Sequence, residues 1–279
     1  MCHDGIVTPI AFRPFDTRWT YNSGNSCGWV LWPREKKTMG HLLKEPTSPI
    51  GQNVALVYPK ETNKFWDGAF ISNSILDAHC IDYPGRSIAY SAPLYLYSEI
   101  DNTWTPNLNH DHLQNLTQYL DYLPSPIEVF DYCYGVLYDP VYRKKYNAFL
   151  KRDFPRIPVI ENEEIFRTYV NAGERLRKLH LMQIKVPAPL TLEPNTSDGL
   201  EIETVKYKGG KLHLNANKRI LAIPDDVWNY RIGGYQVIDK WLKSHKGKTM
   251  TIDDFEHIEN IVGLLAETIK IQEELRKLH

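Results

Sequence analysis

The chain of 279 residues is 42% hydrophobic and 24% charged, with 33 Lys and Arg set against 34 Asp and Glu for a net charge of −1. That length allows one large domain or two small ones with a sizeable core. The charge balance excludes a polycation that coats nucleic acid indiscriminately, but it leaves room for a local basic face.

Residues 6 to about 125 read as strands and loops. Ile6-Val7 and residues 10–12 are short extended runs around Pro9. Residues 13–21 alternate, which places Phe15, Thr17, Trp19 and Tyr21 on one side of a strand and Arg18, Thr20 and Asn22 on the other. A polar turn at residues 22–26 leads to an apolar strand at 29–32 and a basic segment at 34–43. Residues 53–58 form a core strand stopped by Pro59, and 66–71, 77–81 and 92–97 continue the strand series. An irregular Asn-rich span at 102–109 precedes a helix at about 111–122.

Two central helices follow. Val129, Tyr132, Cys133, Val136 and Leu137 recur at helical spacing, and Asp139-Pro140 restarts the pattern as N-cap and first helical residue. Tyr142, Tyr146, Phe149 and Leu150 supply the buried face, with Arg143, Lys144, Lys145, Lys151 and Arg152 elsewhere around the helix. Pro155 and Pro158 break the helical run, and a further helix spans 161–182.

Residues 201–207 then alternate as a strand, Lys208-Gly209-Gly210-Lys211 turns, and 212–215 return. A strand at 220–223 and a helix opening at Gly233-Gly234-Tyr235 come next. Thr251 with Asp254 caps the last helix, whose stripe of Phe255, Ile258, Val262, Leu265 and Ile269 is expected to pack on the 127–182 helices. The fold class is α+β. The expected units are a β-rich lobe at 1–125, a helical scaffold at 126–185, a β-hairpin section at 186–228 returning to the lobe, and C-terminal helices at 229–279.

Catalytic signals are weak. No P-loop and no Gly-rich S-adenosylmethionine turn is present. Asp139-Pro140-Val141-Tyr142 approximates the loop of amino-group methyltransferases, but it lacks the second proline and fits a helix N-terminus. Asp198, Glu201, Glu203 and Lys206 miss nuclease spacing and read as solvated strand charges. His110-Asp111-His112 reads as an exposed helix start, and His180, between Leu179 and Leu181, as a helix-face residue. Cys2, Cys27, Cys80 and Cys133 form no C-x-x-C pair, which with the absence of leader-like residues at 1–5 predicts a reduced, cytoplasmic protein. We expect no catalysis, no metal and no cofactor from these residues alone.

Binding signals agree with one another. Arg13, Arg18, Asn22, Ser23, Arg34, Lys36 and Lys37 interleave with Trp19, Tyr21, Trp29 and Trp32. Lys, Arg and Ser hold phosphates, while Arg, Asn and Lys read base edges. We read the aromatics as core, and Arg13 as a partner for either phosphate or Asp16. Asn63, Lys64, Asn73 and Arg86 are candidates for base contact on loops. Lys208 and Lys211, with Lys206, make a hairpin tip that suits a phosphate backbone or an ordinary solvated turn.

Three stretches carry a family resemblance: PIAFRPFDTRWTYNSG at 9–24, YGVLYDPVYRKKYNAFLKRDFPRIPV at 134–159 followed by LRKLHLM at 176–182, and VWNYRIGGYQVIDKWLKSHKGKTMTIDDFEHIENIV at 227–262. Together and in this order they resemble the C-terminal specificity region of Type ISP and related single-chain restriction–modification enzymes. The resemblance implies a target recognition domain that binds double-stranded DNA and presents an adenine to an upstream methyltransferase. S-adenosylmethionine belongs to that upstream domain, and the helicase and nuclease domains are the other expected partners, with no membrane. It also implies that the chain is the C-terminal piece of a longer protein. The alternative is an assembly module of the same enzyme that uses the central and last helices as a docking face.

Overall fold

A computed structural model describes residues 6–22, 40–42, 48–60, 62, 66–81, 88–159, 162–195 and 200–279. The expected strand at 29–32 and most of the basic segment at 34–43 lie outside the described residues.

The two runs flanking Pro9 are one strand, β1 (Ile6–Arg13), which pairs antiparallel with β2 (Asp16–Asn22). Phe15 makes the turn between them at φ +60° and is buried there, outside the alternation that begins after it. β3 (Ala55–Pro59) lies between β4 (Phe70–Ser72) and β6 (Ala89–Pro93), and β5 (Ile75–Leu76) runs parallel to β1. The chain breaks at Leu94 and continues as β7 (Tyr95–Ser98) paired with β8 (Thr103–Pro106), so the expected strand at 92–97 is two. Residues 77–81 form a turn, not a strand, because the Cys80 and His79 amides both donate to Asp77.

Helix α1 (His110–Leu116) is capped by Asn109. Helix α2 (Pro126–Tyr138) starts with a Ser125–Glu128 capping box and Pro126 at its first position. Asp139 then ends α2 and caps α3 (Pro140–Leu150), accepting from the Val141 amide at 2.8 Å. The Asp-Pro motif is thus a cap. Asp139 is fully buried, and its other oxygen accepts from the Tyr169 hydroxyl at 2.7 Å and meets Nε2 of His279 at 2.8 Å.

Helix α4 (Glu163–His180) crosses α2 at two glycines. A Cβ on Gly173 would come within 1.8 Å of the Asp131 carbonyl, and one on Gly135 within 2.4 Å of the Tyr169 carbonyl. Backbone therefore touches backbone, and Arg177 clamps the same crossing by donating to both Asp131 oxygens at 2.6 and 2.8 Å.

A four-stranded antiparallel sheet runs in the order β10 (Lys206–Lys208), β11 (Lys211–His213), β12 (Arg219–Leu221) and β9 (Thr191–Glu193). The strand expected at 201–207 is confined to its last residues. The Glu203 and Thr204 amides both donate to the Leu214 carbonyl, two residues against one, which breaks the ladder before β10.

The short helix α5 (Asp225–Trp228) follows. Gly233-Gly234 closes a hairpin of β13 (Arg231–Ile232) and β14 (Tyr235–Gln236) rather than opening a helix; α6 (Val237–Ser244) starts only after it. Gly233 has φ +58°, and a Cβ there would strike the Ile81 carbonyl, so the position requires glycine. Helix α7 (Ile252–Arg276) has the expected Thr251–Asp254 capping box. It packs on the central helices through Arg175–Glu274 and through Gln272, which donates to the Tyr138 carbonyl.

Among the described residues a hydrophobic cluster runs from Ala11 to Leu275 and includes strands and helices alike. No helix among the described residues is long and apolar enough to cross a membrane.

Candidate nucleic-acid interface

The β9–β12 sheet separates its side chains by strict alternation. Tyr207, Leu212, Ile220 and Leu192 point inward, with Leu212 and Ile220 fully buried. Tyr207 stacks on Trp228 at 4.6 Å, and its hydroxyl bonds the Ile223 carbonyl and the Asp225 carboxylate. Burial, and then the Asp225 hydrogen bond, push the Tyr207 phenol up to about 12. With Tyr207 anchored inward, Lys206 and Lys208 must point outward.

Register does the rest. Lys206, His213, Arg219 and Glu193 form one outward row across all four strands, and Lys208, Lys211, Leu221 and Thr191 form the next. At a strand spacing of about 4.8 Å, each row is roughly 14 Å wide. Arg219 pairs with Glu193 at its edge, but none of the three lysines forms an ion pair with a described carboxylate. Lys208 and Lys211 face each other directly across the Gly209-Gly210 turn. Like charges in that relation are destabilising. His213 and Arg219 were not singled out in the sequence; the period-two pattern of the third and fourth strands was the available signal.

The other sequence candidates fall elsewhere. Arg18 lies flat on Asp16, with its two nitrogens 3.2 and 3.0 Å from the carboxylate oxygens, and it stacks 3.8 Å above the Phe12 ring. Arg13 pairs with Asp77 at 2.8 Å, not with Asp16, because Asp16 is taken by Arg18. Lys240 is close by; burial first, and then Arg13, lower its ammonium below the usual lysine range.

Asn22 ends β2, opposite Ile6. The Asn73 side-chain amide donates to the Gln52 side-chain oxygen, and the Gln52 amide nitrogen donates to the Asn73 backbone carbonyl, each at 3.0 Å. Ser23, Arg34, Lys36, Lys37, Asn63, Lys64 and Arg86 lie outside the described residues.

The aromatics of β2 correct the expectation that they are core. Trp19 is 72% and Tyr21 43% exposed, beside Val7 at 67% on the paired strand. The opposite side of the ribbon, with Thr8, Ile10 and Asp16, faces the molecule. Trp29 and Trp32 are outside the described residues.

His110 and His112 are exposed at the start of α1, as expected, and no group of three potential metal ligands exists among the described residues.

Residues 3–274 match the family described as the Type ISP C-terminal specificity domain. This chain belongs to that family. The specificity domain also resembles solved structures. It covers 96% of its length on a nuclease-deletion mutant of the Type ISP enzyme LlaGI in complex with a DNA substrate mimic, at TM-score 0.65 and 20% identity. The ATP-dependent Type ISP enzyme LlaBIII bound to DNA matches over 96% at TM-score 0.71 and 18% identity. A DrdV–DNA complex matches over 98% at TM-score 0.70 and 21% identity. The specificity domain spans only 24%, 18% and 28% of those chains, less than a third of each. A search of curated proteins finds no match.

Proposed function

We propose that this specificity domain recognises a short sequence in double-stranded DNA and presents an adenine to a methyltransferase domain elsewhere in a longer polypeptide. On this reading the chain is not an enzyme by itself. S-adenosylmethionine is bound by the methyltransferase, which flips the adenine out of the stack.

The observation that carries the reading is the outward cationic face of β9–β12, in which Lys208 and Lys211 are held opposite each other without a described counter-charge. A duplex backbone laid on that face relieves the repulsion and releases counterions. Sequence readout is assigned to Asn63, Lys64, Asn73 and Arg86, and to Arg18, Asn22, Ser23, Arg34, Lys36 and Lys37. The DNA-bound state of the LlaGI, LlaBIII and DrdV structures supports it by analogy of fold.

Fluorescence anisotropy with mixed-sequence duplexes over a salt series tests the reading. Affinity that falls steeply with salt, with selection enriching one sequence, is the expected result. Absence of binding at low salt, both for this chain and for the longer polypeptide, would sink it.

A second reading, an assembly module with little DNA affinity, is favoured by one feature: the exposed apolar face of Val7, Trp19 and Tyr21. Association with the methyltransferase domain but not with DNA would select it.

A further inference from the structure

We infer that the C-terminal half of α3 and the segment behind it form a second DNA-binding surface, separate from the β9–β12 sheet, that grips the sugar–phosphate backbone. The inference rests on the DNA-recognition reading, but on different residues.

Residues 143–156 carry six cations, Arg143, Lys144, Lys145, Lys151, Arg152 and Arg156, against one carboxylate, Asp153, in a chain of net charge −1. Arg143 turns inward, donating to the Leu137 carbonyl and stacking at 4.5 Å on Tyr138. Lys144, Lys145, Arg152 and Arg156 are exposed. Asp153 reaches only Arg156, at 3.9 Å, and its Oδ1 accepts from the Phe154 amide. Cations at 151 and 152 also complement the negative end of the α3 dipole, which explains their presence by helix stability alone. That explanation does not extend to Lys144 and Lys145 in mid-helix or to Arg156 beyond the end.

Aromatic faces orient two of the ammonium groups, those of Lys145 and Lys60. The Lys145 Nζ lies 5.3 Å from the Tyr146 ring. The Lys60 Nζ, arriving from the end of β3, lies 5.3 Å from the Phe154 ring, which is itself wedged edge-on against Tyr58 and Tyr90. A cation oriented by a ring keeps its charge for an outside anion. Among these cations lies a groove of about 320 Å³ lined by Tyr142, Tyr146, Phe149, Leu150, Phe154 and Pro158, with Phe149 69% exposed at its rim.

The exposed positive charge of Lys144, Lys145 and Arg152 matches a polyanion, and the apolar groove gives a deoxyribose or base a surface to lie on. The Thr62 amide, donating to the Lys151 carbonyl at 3.1 Å, ties the β3–β4 connection to this same surface.

Anisotropy on mixed-sequence duplexes should compare the wild-type chain with two triple variants: Lys144→Ala/Lys145→Ala/Arg152→Ala, and Lys206→Ala/Lys208→Ala/Lys211→Ala. Each triple is expected to lower the slope of log affinity against log salt by roughly 2 to 3, at about 0.9 for every phosphate no longer neutralised, with no loss of thermal midpoint. Phe149→Ala is expected to weaken binding with the slope retained, since an apolar surface releases no counterion.

If the β-sheet triple loses slope while the α3 triple and Phe149→Ala bind as wild type, the second surface is overturned and the recognition reading stands. If neither the wild-type chain nor the longer polypeptide shows salt-dependent binding, the recognition reading itself fails, and this inference with it. Recovery of an acidic protein partner by the α3 surface, with no DNA effect, would also overturn it.

Discussion

The Tyr134 hydroxyl lies 2.6 Å from Nδ1 of His180, and both residues are buried at the junction of α2, α4 and α7. On the other side of the ring, Nε2 is 3.0 Å from the Thr268 Oγ1, which in turn donates to the Leu264 carbonyl. Nε2 therefore donates and Nδ1 accepts, which assigns the neutral tautomer. Rings of Phe15, Phe70 and Tyr138 close around it.

Burial, aided by the nearby Arg143 charge, pushes the His180 imidazole down to about 3 from its ordinary 6.5. The unfolded chain takes up a proton below pH 6.5 that the folded chain refuses until about 3. Stability from this site is fully present above pH 6.5 and falls as pH drops through that window, by about 1.4 kcal/mol per unit. Asp131 and Glu259, whose carboxyls burial raises, act in the opposite direction, so the measured slope is a net one. Urea unfolding at pH 7.5, 6 and 5 should show a progressive loss; a flat profile would mean that the imidazole accepts a proton in place.

At the α2–α4 crossing, Gly173→Ala should destabilise by about 3 kcal/mol or more, because the methyl group meets a carbonyl rather than a yielding side chain. Gly209→Ala meets open space but keeps φ +54°, so it should lose only about 1 kcal/mol. The two urea midpoints give the comparison, and equal losses would refute the close-contact explanation.

Lys208→Glu separates stability from binding. It replaces a like-charge pair with an opposite-charge pair facing Lys211, and should raise hairpin stability by about 0.5 kcal/mol. It should also weaken duplex DNA binding. A variant that gained stability and kept wild-type DNA affinity would remove the β9–β12 face from the interface.

Trp19→Ser should leave the unfolding midpoint within about 0.5 kcal/mol of wild type, since the ring is exposed. Trp228→Ala, which empties the stack on Tyr207, should destabilise by about 3–5 kcal/mol. A large loss from Trp19→Ser would mean that its ring belongs to the core after all.

Cys80 is buried and Cys133 half-buried, and desolvation pushes both thiols up to about 12. Mass-mapped alkylation at neutral pH should label them only after denaturation. Labelling of either in the folded chain would show that the structure around it opens locally.

Much of this fold was legible in one dimension. The Asp139-Pro140 cap, the Thr251–Asp254 capping box, the Gly209-Gly210 turn and the family stretches rest on interactions within a few residues, which sequence spacing encodes directly. The expected strand at 77–81 and the helix at Gly233-Gly234 failed for a shared reason. The Asp77 side chain, which accepts locally from the His79 amide in that turn, is itself held by Arg13, far away in sequence, and the Gly233 conformation is dictated by the Ile81 carbonyl. Local pattern does not contain such partners.

The interface divides in the same way. Alternation alone put Lys206 and Lys208 on one face and Trp19 and Tyr21 on one face. Which of those faces meets solvent was decided by what the rest of the chain packs against them. Tyr207 found Trp228 and turned the lysines outward, while Arg18 found Asp16 and Phe12 and left Trp19 in water. A period of two specifies that residues share a side. Burial is a property of distant partners, and only the tertiary structure brings them together.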